Sequence, residues 1–198
     1  MKILHDQQVD EMVKTIQNHA TLHGHKPISP RVIRAIRQVQ RHKFVEISPY
    51  GDHPVSIGYS QTISQPFIVA YMTEMLEIQP SHKVLEIGMG SGYQAAVLSE
   101  LAHEIYTVER IPELAQRTKQ LFETLEDYES IKIKIGNGIE GWKEHAPYDR
   151  IIVTATAQEL VPPQLLIDQL IEGGKMIMPI RKSAGNEELV LITKTGKT

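Results

Sequence analysis

The chain has 198 residues, a formal net charge of −3 and no cysteine. That length is about one α/β domain, and the slight acidity offers no global attraction to nucleic acid or anionic membrane. The lack of cysteine excludes disulfides, thiolate metal ligands and a cysteine nucleophile. The first residues carry Lys2, Asp6, Asp10 and Glu11 with no apolar stretch, so no secretory signal is visible. No run approaches a membrane span, and a soluble, cytoplasmic, single domain over 1–198 is expected.

Residues 6–19 place Val9, Met12, Val13 and Ile16 on one helical face. Ser29-Pro30 supplies a cap and a first-turn proline for a second helix. That helix bears Val32, Ile33, Ile36 and Val39 on one side, and Arg31, Arg34, Arg37 and Arg41 roughly on another. In a net acidic chain with few aromatics nearby, the arginine stripe reads as a solvated face, and no nucleic acid is expected as partner. Residues 44–63 contain Pro49, Gly51, Pro54 and Gly58 without periodicity, which predicts a long, lid-like loop. It runs into Ser60-Gln61-Thr62-Ile63-Ser64-Gln65-Pro66 and then a helix with Ile68, Val69, Met72, Met75 and Leu76. Ser64 is placed to cap that helix; the alternative is that the run of hydroxyls and amides, Thr62 and Ser64 among them, contacts a ligand.

The chain is organised around Val84-Leu85-Glu86-Ile87-Gly88-Met89-Gly90-Ser91-Gly92-Tyr93. A β-compatible run leads into glycines at alternate positions, then into a helix-like run with Ala95, Ala96, Val97, Leu98 and Leu101. Strand, tight glycine turn and helix start make the first crossover of an open α/β sheet, where such sheets bind ligands. A second apolar run, Ile105 to Val108, ends at Glu109, a carboxylate placed to accept from both hydroxyls of a ribose. The spacing departs from a dinucleotide signature, whose last glycine would stand at Tyr93. Glu86, just ahead of Gly88, would put a carboxylate near the ligand's centre. That repels a pyrophosphate but suits a ligand carrying an ammonium and a sulfonium, such as S-adenosylmethionine (SAM).

Strands and helices go on alternating. A helix follows Pro112 with Leu114, Leu121 and Leu125, and a strand over Ile131–Ile135 stops at Gly136-Asn137-Gly138. Another strand covers 149–155, and Pro162-Pro163 opens a helix with Leu165, Leu166 and Leu170, closed by Gly173-Gly174. Met176–Ile180 and Leu189–Thr193 read as an antiparallel pair. The fold class is therefore α/β, a doubly wound, mostly parallel sheet over 81–198, with a helical N-terminal region over 1–80. Gly88–Gly92, Glu109–Arg110 and Gly136–Gly138 all fall at C-terminal strand ends and should meet at one crevice. Asn137 and Gly138 are placed for the edge of an adenine, although Gly-Asn-Gly is also an ordinary turn.

These residues resemble the protein-L-isoaspartate O-methyltransferases, over nearly the whole chain. Gln61-Thr62-Ile63-Ser64-Gln65-Pro66 carries the resemblance most specifically, with Val84–Tyr93, Val108-Glu109-Arg110 and Tyr148–Ala155 beside it. The glycine turn alone implies only a SAM-dependent methyltransferase of Rossmann-like fold; the acceptor could then be an RNA or a small molecule, or the chain a non-catalytic SAM-binding module. The resemblance implies methylation of isoaspartyl proteins and peptides, with Ser64 at the active site and Gly88, Gly90, Gly92 and Glu109 at SAM. The family usually shows aspartate where Asn137 stands and glycine where Ser60 stands, and many bacterial members continue past the last strand.

Overall fold

The computed structural model describes residues 2–155, 163–182 and 187–196. Two helices open the chain, α1 (Lys2–Leu22) and α2 (Pro30–Gln38). The first is longer than its apolar periodicity indicated. The second starts as expected, with the Ser29 side chain accepting from the Val32 N–H and proline in the first turn.

Residues 44–63, expected as a loop, fold in their second half into a hairpin of β1 (Val55–Gly58) and β2 (Gln61–Ile63). Tyr59 and Ser60 form its turn with φ of 53° and 56°. A two-residue turn with both φ values positive normally takes asparagine or glycine, so Tyr-Ser gave no hairpin signal. At Ser60 the same φ is one that glycine would adopt without strain. The Arg117 side chain donates to the Ile57 carbonyl at 2.9 Å and anchors the hairpin to the domain.

After α3 (Pro66–Met75) the sheet begins: β3 (Lys83–Ile87), α4 (Tyr93–Ser99), β4 (Glu104–Glu109), α5 (Pro112–Leu125), β5 (Ile131–Ile135) and β6 (Tyr148–Val153). A short α6 (Gln164–Asp168), β7 (Leu170–Arg181) and β8 (Glu187–Thr193) complete it. Pro162, the other half of the expected helix start, lies outside the described residues. Gly173-Gly174 do not close that helix. They sit inside β7, where the register against β6 shifts and Gly173 takes φ of 75°, as in a bulge.

Strand order is β5-β4-β3-β6-β7-β8, all pairs parallel except β7 with β8. The chain steps outward on one side of β3 and then returns to its other side, so β3 and β6 flank the switch point. On one face α4 is buried on every side, Tyr93 through Leu98, because the N-terminal helices pack over it. A helix apolar all round is stable only when sandwiched in this way. The other face buries Leu85, Ile87, Tyr106, Val108, Ile151 and Met176 against α6 and the turn at Trp142. No helix among the described residues is long and apolar enough to cross a membrane.

Gly92 ends the glycine turn at φ 87°, and a Cβ there would lie 2.5 Å from Thr118 Cγ2 and 2.7 Å from Phe122 Cζ. Gly92→Ala is therefore expected to cost about 2–5 kcal/mol through strain and overpacking, read as a lowered denaturant midpoint. Full stability in that variant would mean α5 can shift away freely.

Candidate active site

The loops leaving β3, β4, β5 and β6 meet the β1–β2 hairpin around one cavity of about 770 Å³. Adjacent strand ends extend their ladders into these loops. Gly88 N–H donates to the Val108 carbonyl at 2.9 Å, Gly136 N–H to the Glu109 carbonyl at 2.9 Å, and Thr154 N–H to the Ile87 carbonyl at 2.9 Å. The three strand-end loops expected to converge do so, and all contribute to the wall.

Glu109 ends β4 and is 5 % exposed. Its Oε2 accepts from the Gly90 N–H at 2.8 Å and its Oε1 from the Ile111 N–H at 2.9 Å. Each oxygen keeps one further acceptor position, the pair of acceptors that two vicinal ribose hydroxyls require. Gly88, at φ 97°, lies so close to Thr154 that a Cβ would come within 2.8 Å of its hydroxyl. Gly90, at φ 53°, has only Ile57 of the hairpin within that reach, at 3.2 Å. The groups present thus fit a nucleoside ligand of the size of SAM.

Two expected cofactor contacts lie elsewhere. Gly92 is absent from the cavity wall and serves the packing of α4 against α5. Glu86 is also absent from the wall, and is fully buried inside the sheet. It points to the α4 side of β3, because successive strand residues face opposite ways. The Thr107 hydroxyl donates to its Oε2, while Oε1 has no partner. Burial first, and the charge of Glu109 with it, push its pKa up to about 8, so near neutrality it is a neutral acid. The carboxylate that the spacing put beside the ligand's centre is not on the cavity surface.

Tyr93 lines the cavity at 1 % exposure, its pKa pushed up to about 12 by burial against the opposing pull of the neighbouring Arg41. Thr62 and Ser64 line the opposite wall, on and after β2. Ser64 does not cap α3: the cap position falls on Gln65, and the Phe67 N–H is satisfied by Asp52 Oδ1 at 3.0 Å. Among the described residues the Ser64 hydroxyl has no hydrogen-bond partner. Asn137 and Gly138 also line the cavity. The Asn137 side chain accepts from the Ile139 N–H at 3.2 Å and donates to Glu140 Oε1 at 3.3 Å, so it is a turn cap as well. An aspartate at 137 would face Glu140 with like charge.

Several lining residues gave no signal in the sequence, among them Gln94, Met178 and Arg181. Thr154 could have been found, since it stands one residue past the end of β6, at the carboxyl edge of the sheet. No histidine lines the cavity among the described residues.

A glycine turn at the switch point, a buried carboxylate ending the next strand and a hydroxyl-bearing segment opposite them define a Rossmann-like, SAM-dependent methyltransferase. Comparison with known proteins narrows the class. The family model described as protein-L-isoaspartate(D-aspartate) O-methyltransferase matches residues 7–198. A protein-L-isoaspartate O-methyltransferase of Gloeobacter violaceus is 49% identical over 168 residues, 83% of this chain and 80% of that one. Among solved structures, a protein-L-isoaspartate O-methyltransferase superposes with a TM-score of 0.80 at 27% identity, over 94% of this chain. The chain spans 60% of that structure's length. A Plasmodium falciparum structure described as a beta-aspartate methyltransferase, in complex with S-adenosyl-L-homocysteine, gives 0.74 at 27% identity, over 92% of this chain and 90% of its own. The chain belongs to the protein-L-isoaspartate O-methyltransferase family.

Both oxygens of Glu109 accept from backbone N–H groups, so an amide at 109 would set an NH₂ against one of them. Glu109→Gln is therefore expected to weaken SAM binding at least about tenfold, and Glu109→Ala further, by calorimetric titration. Unchanged affinity in both would remove the ribose assignment.

Glu86 generates a second expectation, in the ligand-free protein. Its pKa rises from 4.5 in the unfolded chain to about 8, so unfolding between those values releases a proton. Stability should fall as pH rises through that window, by up to about 1.4 kcal/mol per unit, and Glu86→Gln should flatten this slope. Denaturant midpoints that track pH identically in both proteins would show that Glu86 ionises normally.

Proposed function

We propose that the chain transfers the methyl group of SAM to the free α-carboxylate of L-isoaspartyl residues in damaged proteins and peptides, with Ser64 orienting the acceptor. One observation carries the reading: Ser64, with an uncommitted hydroxyl, shares a single cavity with the glycine turn and Glu109.

When bound, SAM supplies an electrophilic methyl on a sulfonium. Glu109 would hold the ribose, the Gly88–Gly90 backbone would let the ligand lie close, and Asn137 and Gly138 would border the adenine. The acceptor needs no activation, because a carboxylate with an ordinary pKa of about 3.5–4 is already ionised at neutral pH. The wall agrees with this requirement. Tyr93 stays protonated to about pH 12, no histidine lines the cavity among the described residues, and the Glu109 carboxylate is committed to the Gly90 and Ile111 N–H groups. The remaining work is placement and exclusion of water, which the hairpin and the segment at Ser64 are positioned to perform. Ser64 would donate a hydrogen bond that aligns the carboxylate rather than attack anything. In the resulting methyl ester the neighbouring amide nitrogen attacks the ester carbonyl and expels methanol, giving a succinimide whose hydrolysis by water partly restores a normal peptide bond.

Transfer of labelled methyl from SAM to an isoaspartyl peptide, with its aspartyl twin as control, is the direct test. Labelling of the isoaspartyl peptide alone is expected; equal labelling of both, or of neither, overturns the proposal. Ser64→Ala should lower kcat by about tenfold or more with SAM affinity changed little, consistent with a hydrogen bond to a charged group. The parent kcat should be nearly flat from about pH 6 to 9, and a histidine-like limb would reveal a proton-transfer group in the reaction.

A further inference from the structure

Arg41 is among the largest fully buried side chains of the described residues, at 0 % exposure. It stands just past α2, in a 3-10 turn over Arg41–Lys43. Its guanidinium reaches three separate pieces of the molecule. Nε donates to the Pro49 carbonyl at 2.7 Å, in the lid segment. Nη2 donates to the Ser64 carbonyl at 2.8 Å. The third piece is the Tyr93 ring at the start of α4, whose centroid lies 4.6 Å from Cζ. Nη1 and the Tyr93 hydroxyl are both buried and, among the described residues, have only each other to turn to.

Stability does not account for this arrangement. Removing a guanidinium from water costs several kcal/mol, and apolar groups of like volume commonly serve as well or better. What a guanidinium does that an apolar group cannot is hold two carbonyls from different segments in one plane while stacking on an aromatic face.

We propose that Arg41 is a positioning residue for methyl transfer, fixing the backbone of Ser64 between the lid at Pro49 and the helix that begins at Tyr93. With its carbonyl drawn inward to Arg41, Ser64 is held at the cavity wall. Asp52 secures the residues that follow, accepting from Gln65 Nε2 at 3.0 Å and from the Phe67 N–H. Ser64 thus sits between two buried ties of opposite charge, and Arg41 is the one that touches it directly. Nothing in this scheme has Arg41 contact SAM, and Arg41 is absent from the cavity wall. The inference rests on the assignment of Ser64 to the acceptor.

The test uses Arg41→Lys and Arg41→Met, Ser64→Ala, and the double variant Arg41→Met/Ser64→Ala, with an isoaspartyl peptide as acceptor. Lysine keeps the charge but lacks the planar fork whose separate nitrogens meet the two carbonyls while stacking on Tyr93, so no rescue is expected from it. Both Arg41 variants should fold, bind SAM within about threefold of the parent and lose at least tenfold in kcat. The double variant should match Ser64→Ala within about twofold, because a residue acting through Ser64 adds nothing once the hydroxyl is gone. Multiplied losses in the double variant, parent-like kcat in Arg41→Lys, or failure of both Arg41 variants to fold would each overturn the proposal. Full activity of Ser64→Ala would instead sink the serine assignment, and this inference with it. Impaired Ser64→Ala beside fully active Arg41 variants would sink this inference alone.

Discussion

The active site depends on one carboxylate gripping two backbone N–H groups. Glu109 accepts from Gly90 in the loop after β3 and from Ile111 in the loop after its own strand. Parallel strands end their ladders at the same edge, and loops leaving that edge would otherwise diverge. A buried, charge-assisted pair of hydrogen bonds keeps these two in register. Because the same oxygens retain acceptor capacity toward the cavity, the group that shapes the glycine turn is also the group offered to the ribose. Binding geometry and loop geometry are one constraint.

The opposite wall is assembled differently. Neither β1 nor β2 belongs to the main sheet, and two strands so short have no independent stability. The hairpin and the segment after it are held by long side chains reaching in from elsewhere: Arg117 to Ile57, Arg41 to Pro49 and Ser64, Asp52 to Gln65 and Phe67. These ties add to a continuous core, since Val55, Ile57 and Ile63 are buried in the same cluster as α4. The glycine-turn wall is backed by the sandwiched α4.

Most of the sheet was legible in the sequence because its signals are local. Every parallel strand and the final antiparallel pair came from short β-compatible runs bounded by glycine or proline, and the glycine turn from its own spacing. Errors arose where local signals were weak or doubled. The hairpin turn lacked asparagine and glycine, so β1 and β2 read as loop. Gly173-Gly174 read as a helix stop, although glycine serves a strand bulge equally well. The arginines after Pro30 read as a solvated stripe, which holds for the exposed Arg34 and Arg37; Arg31, however, donates to the Leu101 carbonyl at 2.8 Å, and Arg41 is enclosed.

The sequence by itself determined the fold class, the glycine turn, Glu109 and the family-specific segment around Ser64, because each is a short pattern whose chemistry survives without knowledge of its neighbours. Only the tertiary structure decided which face each residue serves. Glu86 and Gly92 belong to the same decamer as Gly88 and Gly90, yet strand alternation and the approach of Phe122 turn them into the core. Ser64 loses its capping role to Asp52, a residue from a separate segment. A long-range contact leaves no periodicity and no spacing in the chain, and Arg41 is known for what it touches only once Pro49, Ser64 and Tyr93 are brought around it.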